Sequence, residues 1–225
     1  MGQAIGQLLP FAAVVALSPI PIVAVVLMLS TPRGPTNGLA FLAGWLGGIG
    51  VVGIVLLQLA KAVSVGSTGD PATWVSVLKL VLGLALLALA AAQWRKRPRG
   101  DVEAATPGWM GALEGFTPLK AVGAAVVLSL LNPKNLILII GAAATEAQFG
   151  LSTGQEIVVW VVFTLVASIG VLVPLVAYFT MGAGADAMLE RLNAWMTRNN
   201  KTIMAVLCLI IGVKLIGDAI SGFSS

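Results

Sequence analysis

The chain has 225 residues, 58% of them hydrophobic and 10% charged, with a formal net charge of +4. No soluble domain of this size has that balance. Histidine is absent and cysteine occurs once, at Cys208, which excludes a His/Cys metal site, a disulfide framework and a thiol relay.

Runs of about 20 apolar residues recur along the whole length, the pattern of an all-α integral membrane protein. Six transmembrane helices are expected, at roughly 5–31, 37–60, 72–94, 117–145, 154–181 and 200–222. The first run follows Met1-Gly2-Gln3, which carries no Lys or Arg, and it is too long for the core of a cleaved signal. Ser18-Pro19-Ile20-Pro21 interrupts it midway. Proline removes a backbone donor, and in a bilayer no water replaces it, so such a break is tolerated only inside protein or beside a wet cavity. Pro32, Gly34 and Pro35 then end the span and turn the chain.

The second span carries Gly44, Gly47, Gly48, Gly50 and Gly53; Gly44 and Gly48, four apart, form a face for close packing within the subunit or in a homodimer. Asp70-Pro71 and Thr117-Pro118 each pair a capping side chain with proline at the first helical position, and so start the third and fourth spans. Trp74 and Trp94, at the ends of the third span, read as interfacial anchors; Trp45 and Trp109 are further candidates.

The region at about 96–116, basic and then acidic with Pro98, Gly100, Pro107 and Gly108, is the one convincing linker. It divides a single transmembrane domain into repeat one, about 5–95, and repeat two, about 117–222. Three spans per half means that the halves enter from opposite faces, the plan of two inverted three-helix repeats. An internal match agrees. Leu17-Ser18-Pro19-Ile20-Pro21-Ile22 corresponds to Leu131-Asn132-Pro133-Lys134-Asn135-Leu136, each in the first helix of its half and roughly 20 Å along it, near mid-membrane.

In the last third, 186–199 is expected to form an amphipathic segment on the cytoplasmic interface, with Met188, Leu192, Trp195 and Met196 on one face and Asp186, Glu190, Arg191 and Arg198 largely elsewhere. Positive charge sets direction. Arg33, the basic run Arg95 to Arg99, and Arg191, Arg198 and Lys201 follow spans one, three and five, whereas the opposite loops carry essentially only Lys61. By the positive-inside rule both termini are extracytoplasmic, in a multi-pass protein of the cell membrane. The basic surplus thus reads as orientation, not as nucleic-acid binding.

Ser18 and Asn132 are favoured N-cap residues that precede proline, so each break reads as a fresh helix start inside a span. The two half-helix N-termini would face each other with unpaired N–H groups, and Lys134 would add a full charge at that depth. Ser18, Pro19, Pro21, Asn132, Pro133, Lys134 and Asn135 therefore form a candidate substrate-binding site for an anionic or polar headgroup. The bland alternative for Pro19 is a packing kink. For Lys134 it is a structural counterion, and a lysine at mid-membrane costs at least ~2.5 kcal/mol. No Asp or Glu falls at mid-depth; Asp70, Glu146, Glu156 and Asp218 sit near outer helix ends, so no proton-carrying carboxylate stands out. Lys79 and Lys214 read first as snorkelling side chains, Lys214 with Asp218 four residues on; their matching depth also allows a shared outer vestibule. Lys120, near an inner end, reads as snorkelling. No nucleophile–base spacing suggests an enzyme, and no cofactor or metal site is expected.

At these residues the chain resembles the lysine-exporter superfamily of six-span exporters. More closely it resembles the GAP family, the peptidoglycolipid- or sulfolipid-addressing proteins. The resemblance is carried by Leu17 to Ile22, Thr31-Pro32-Arg33, Ala40-Phe41-Leu42-Ala43-Gly44-Trp45, Gln93-Trp94-Arg95, Leu119-Lys120-Ala121 and Leu128 to Leu136, and covers nearly the whole chain. It implies export or surface delivery of a lipid or glycolipid, in some members beside a larger lipid exporter. Two alternatives remain open: a small-solute exporter of amino acids or ions, and a non-transporting assembly partner of such an exporter.

Overall fold

In the computed structural model, residues 1–66, 71–97 and 115–224 are described, and they fold as nine α-helices with short 3-10 turns. The order is α1 (Gly2–Ala16), α2 (Pro19–Leu29), α3 (Gly34–Gly66), α4 (Pro71–Arg95), α5 (Pro118–Leu130), α6 (Pro133–Glu146), α7 (Thr153–Ala167), α8 (Ile169–Met181) and α9 (Ala185–Phe223). Helices α3, α4 and α9 are each long and apolar enough to cross a membrane. Three further crossings arise if each bent pair is one span: α1 with α2 at 51°, α5 with α6 at 67°, and α7 with α8 at 58°.

Both expected proline breaks are present, each between the two helices of a bent pair. The third, at Ser168, is unforeseen. There the Ser168 hydroxyl donates to the Thr164 carbonyl at 2.7 Å, a back-bond that bends helices, and Pro174 removes a donor in the next turn but one. Gly170 lets α8 lie directly against the Ala16 carbonyl at the end of α1; a Cβ there would overlap that oxygen.

Segment 186–199 is corrected. It forms no separate interfacial helix but the first turns of α9, which runs unbroken for 39 residues. Leu192 and Met196 pack with Ile22 and Val23 of α2, and Leu189 is buried, whereas Met188 and Trp195 face outward. Inward contact with α2 outweighs the local amphipathic pattern. Asp70, Trp109 and most of the linker lie outside the described residues.

Two buried faces hold the assembly together: α4 packs along α9, and α3 along α5. Lipid is as apolar as leucine, so burial alone drives little association, and close approach matters more. Gly44 and Gly48 of α3 admit the Val122 backbone and the Ser129 hydroxyl of α5, so this pair is used within the chain. Gly53 of α3 makes room for the Trp160 ring of α7. On α4 and α9 the glycines are reciprocal: Gly83 faces Ile216 and the Gly212 carbonyl, and Gly212 faces Leu87 and the Gly83 carbonyl. Phe11, Phe41, Trp45, Trp160 and Phe163 fill the centre. Trp45 is thus a core residue, whereas Trp94 is exposed with Arg97 stacked 3.4 Å from its ring centroid.

Candidate functional site

The site is built on what an interrupted helix leaves unpaired. In an unbroken α1 the Ser18 N–H would bond the Val14 carbonyl. Here it bonds Val15 O at 3.1 Å instead, Leu17 N–H takes Ala13 O, and Pro19 has no N–H to give. The Val14 carbonyl is therefore orphaned at the negative end of a helix. Lys134, from the other break, donates to it at 2.7 Å and to the Ser18 hydroxyl at 2.7 Å. Ser18 in turn donates to Asn135 Oδ1 at 3.0 Å. One buried chain of hydrogen bonds, Val14–Lys134–Ser18–Asn135, thus joins residues 116 to 120 positions apart in sequence. The two breaks meet.

Lys134 is 1% exposed and Asn135 fully buried, so the junction is closed to water. Its carbonyl and hydroxyl partners supply the neutral, structural contact that the counterion reading lacked. The Asn135 amide nitrogen has no partner among the described residues. Ser18, Pro19 and Pro21 are buried; Asn132 is half-buried and Pro133 exposed. Asn132 caps α6 by accepting from the Lys134 N–H at 3.2 Å. Ser18 does not cap α2 with its side chain, because its oxygen is engaged across the junction. Prolines at 19 and 21 leave the first turn of α2 poor in N–H groups, so the positive character at the junction comes chiefly from the Lys134 ammonium.

Lys79 and Lys214 lie toward a second feature. A cavity of about 430 Å³ is lined by Gln7, Ser76, Lys79, Thr145, Gln148 and Asp218, among others. Lys79 is 7% exposed and donates to Gln148 Oε1 at 2.9 Å. Lys214 pairs with Asp218 at 2.6 Å, donates to Gln7 at 3.3 Å and stands 5.1 Å from the Phe11 ring centroid. Lys79 thus lines the cavity itself, and Lys214 reaches it through partners that do.

Sequence reasoning missed the burial of Glu146 and Glu156. They do sit at helix ends as expected, but Glu146 is 1% and Glu156 5% exposed, with Lys61 bonded to Glu156 at 2.6 Å. Lys61, the lone basic residue expected at that end of the molecule, was the available signal.

The family described as "Sap, sulfolipid-1-addressing protein" matches residues 8–221. The chain belongs to this family. No curated protein and no solved structure matches it. Family membership and the apolar helices together make this a lipid-associated, membrane-spanning protein with a role in lipid export or addressing.

Proposed function

We propose that this family member is a transporter, not an enzyme, that moves a lipid or glycolipid with an anionic headgroup outward by alternating access at the junction of the two breaks. The observation that carries the proposal is Lys134, held away from water without a carboxylate partner where two interrupted helices meet. Intramembrane lysines are costly, and interrupted helices mark transporter sites. The arrangement described is a closed state. An anionic headgroup competes with Val14 and Ser18 for the ammonium, and Asn135 offers a free amide donor beside it. The 430 Å³ cavity, with Lys79 on its wall, serves as the outer vestibule.

This reading takes the bent pairs as single spans, six in all, arranged as two inverted repeats that alternate access. Exchanging the halves carries the packing of α3 on α5 onto that of α7 and α8 on α1 and α2, and carries α4 on α9 onto itself. The reciprocal glycines Gly83 and Gly212 lie on that self-paired contact.

The test is movement of a fluorescent sulfated glycolipid between leaflets of reconstituted vesicles, read by a membrane-impermeant quencher. Wild type moves it; Lys134→Met inserts and folds but does not. Equal rates in the two proteins would remove the junction from the mechanism. Uptake of amino acids without lipid movement would favour the small-solute alternative, and no movement of either would favour the assembly-partner alternative.

A further inference from the structure

Glu146 closes α6 and Glu156 lies in the first turn of α7. Between them Gly150 adopts the left-handed conformation at φ +56°, in the turn that joins α6 to α7. Lys61, near the end of α3, gives its ammonium to Glu156 Oε1, and the charges of Glu156 and Lys61 both act on Glu146. Neither oxygen of Glu146 has a hydrogen-bond partner among the described residues, nor does Glu156 Oε2.

Buried polar atoms are nearly always paired, and an ionised carboxylate without water or donors is far more costly than a neutral acid. The charge balance gives the same result. With all three groups ionised, two negative charges face one positive. Of the other charged groups toward this end, Lys214 of α9 is paired with Asp218, and Lys79 of α4 bonds the neutral Gln148 amide and neither glutamate. One added proton balances the trio.

From this we infer that Glu146 is a proton-binding site, with Glu156 as the coupled carboxylate and Lys61 as the counter-charge they share. Binding adds H⁺ from water to one Glu146 oxygen, and release returns it; no other bond forms or breaks. Release leaves a second carboxylate in need of Lys61, so the ammonium is drawn between Glu156 and Glu146, and α3, α6 and α7 shift relative to one another. The proton-binding step stands by itself; its coupling to outward lipid movement rests on the transport reading.

Two measurements separate these levels. Infrared titration of the purified full-length protein in lipid nanodiscs should show a protonated-carboxyl C=O band that bleaches as pH rises. The band should be absent in Glu146→Gln, retained in Glu146→Asp, and should bleach at a lower pH in Glu156→Gln, where Lys61 is released to Glu146. An identical band in wild type and Glu146→Gln, or no such band in a folded wild type, overturns the site. In the glycolipid assay, a pH gradient should speed wild-type movement several-fold, and Glu146→Gln should lose that acceleration. Acceleration by a sodium gradient but not by a proton gradient overturns the coupling. If wild type moves no glycolipid in any gradient, the transport reading fails while the infrared result still decides whether Glu146 binds a proton.

Discussion

A single oxygen on Ser18 both donates to Asn135 and accepts from Lys134. Alanine at this position removes both contacts and leaves the ammonium with only the Val14 carbonyl. A buried hydrogen bond lost to a polar partner costs about 1–3 kcal/mol. Ser18→Ala is therefore expected to lower the thermal unfolding temperature in detergent micelles, whereas Ser18→Thr, which keeps the hydroxyl, stays close to wild type. Unchanged melting in the alanine variant would mean that the junction contributes nothing to stability. Serine, asparagine and lysine beside proline were legible in the sequence as a paired feature. The partner of Lys134 was not. The Val14 carbonyl is orphaned only because the Ser18 N–H moves to Val15, and that choice belongs to the folded backbone. Pro133 was grouped with the site by its spacing, but it lies exposed because the cap turns its ring outward while Lys134 and Asn135 turn in.

Among the elements, the breaks at Pro19 and Pro133 announced themselves through a cap residue followed by proline. The break at Ser168 did not, because its proline lies six residues further on and its bend arises from a serine side chain bonding back to Thr164. The signal available was Gly170 four residues before Pro174, where the missing N–H frees one carbonyl and the missing side chain admits α1. Gly170→Leu should force α8 away from Ala16. Overpacking of this kind costs roughly 1–3 kcal/mol, and we expect a lower melting temperature together with faster proteolysis. The Gly83–Gly212 crossing makes a sharper case, since leucine at either position meets a backbone carbonyl of the other helix as well as a side chain. Gly83→Leu and Gly212→Leu should be similarly destabilising; a large effect at one and none at the other would argue against a reciprocal contact. Segment 186–199 shows why local periodicity misled: Met188 and Trp195 complete an apolar face on paper, yet packing on α2 selects Leu192 and Met196, and Leu189 is buried in the main core.

For the molecule as a whole, the composition made a helical membrane protein readable at once, and three helices of membrane-crossing length, or six if each bent pair is one span, agree with it. Sidedness is a separate matter. Positive charge predicts that both termini face outward, and cysteine labelling checks it. Cys208 is buried, so it is first replaced by serine; single cysteines are then placed at Gly2 and at Gln93. A membrane-impermeant maleimide added to intact cells should label the first and spare the second; the reverse pattern would invert the orientation. The two glutamates were invisible for a physical reason: each residue is ordinary at a helix end, and it is the packing of α3 against both α6 and α7 that goes with their burial.

An amide N–H cannot leave the helix that carries it, but an ammonium on four methylenes can swing away. Because Lys134 stands in for the missing peptide donor at Val14, the joint between α1 and α2 is closed by a detachable fastening. Undone, it frees the first fifteen residues to pivot as a stiff rod; refastened, it restores the same angle.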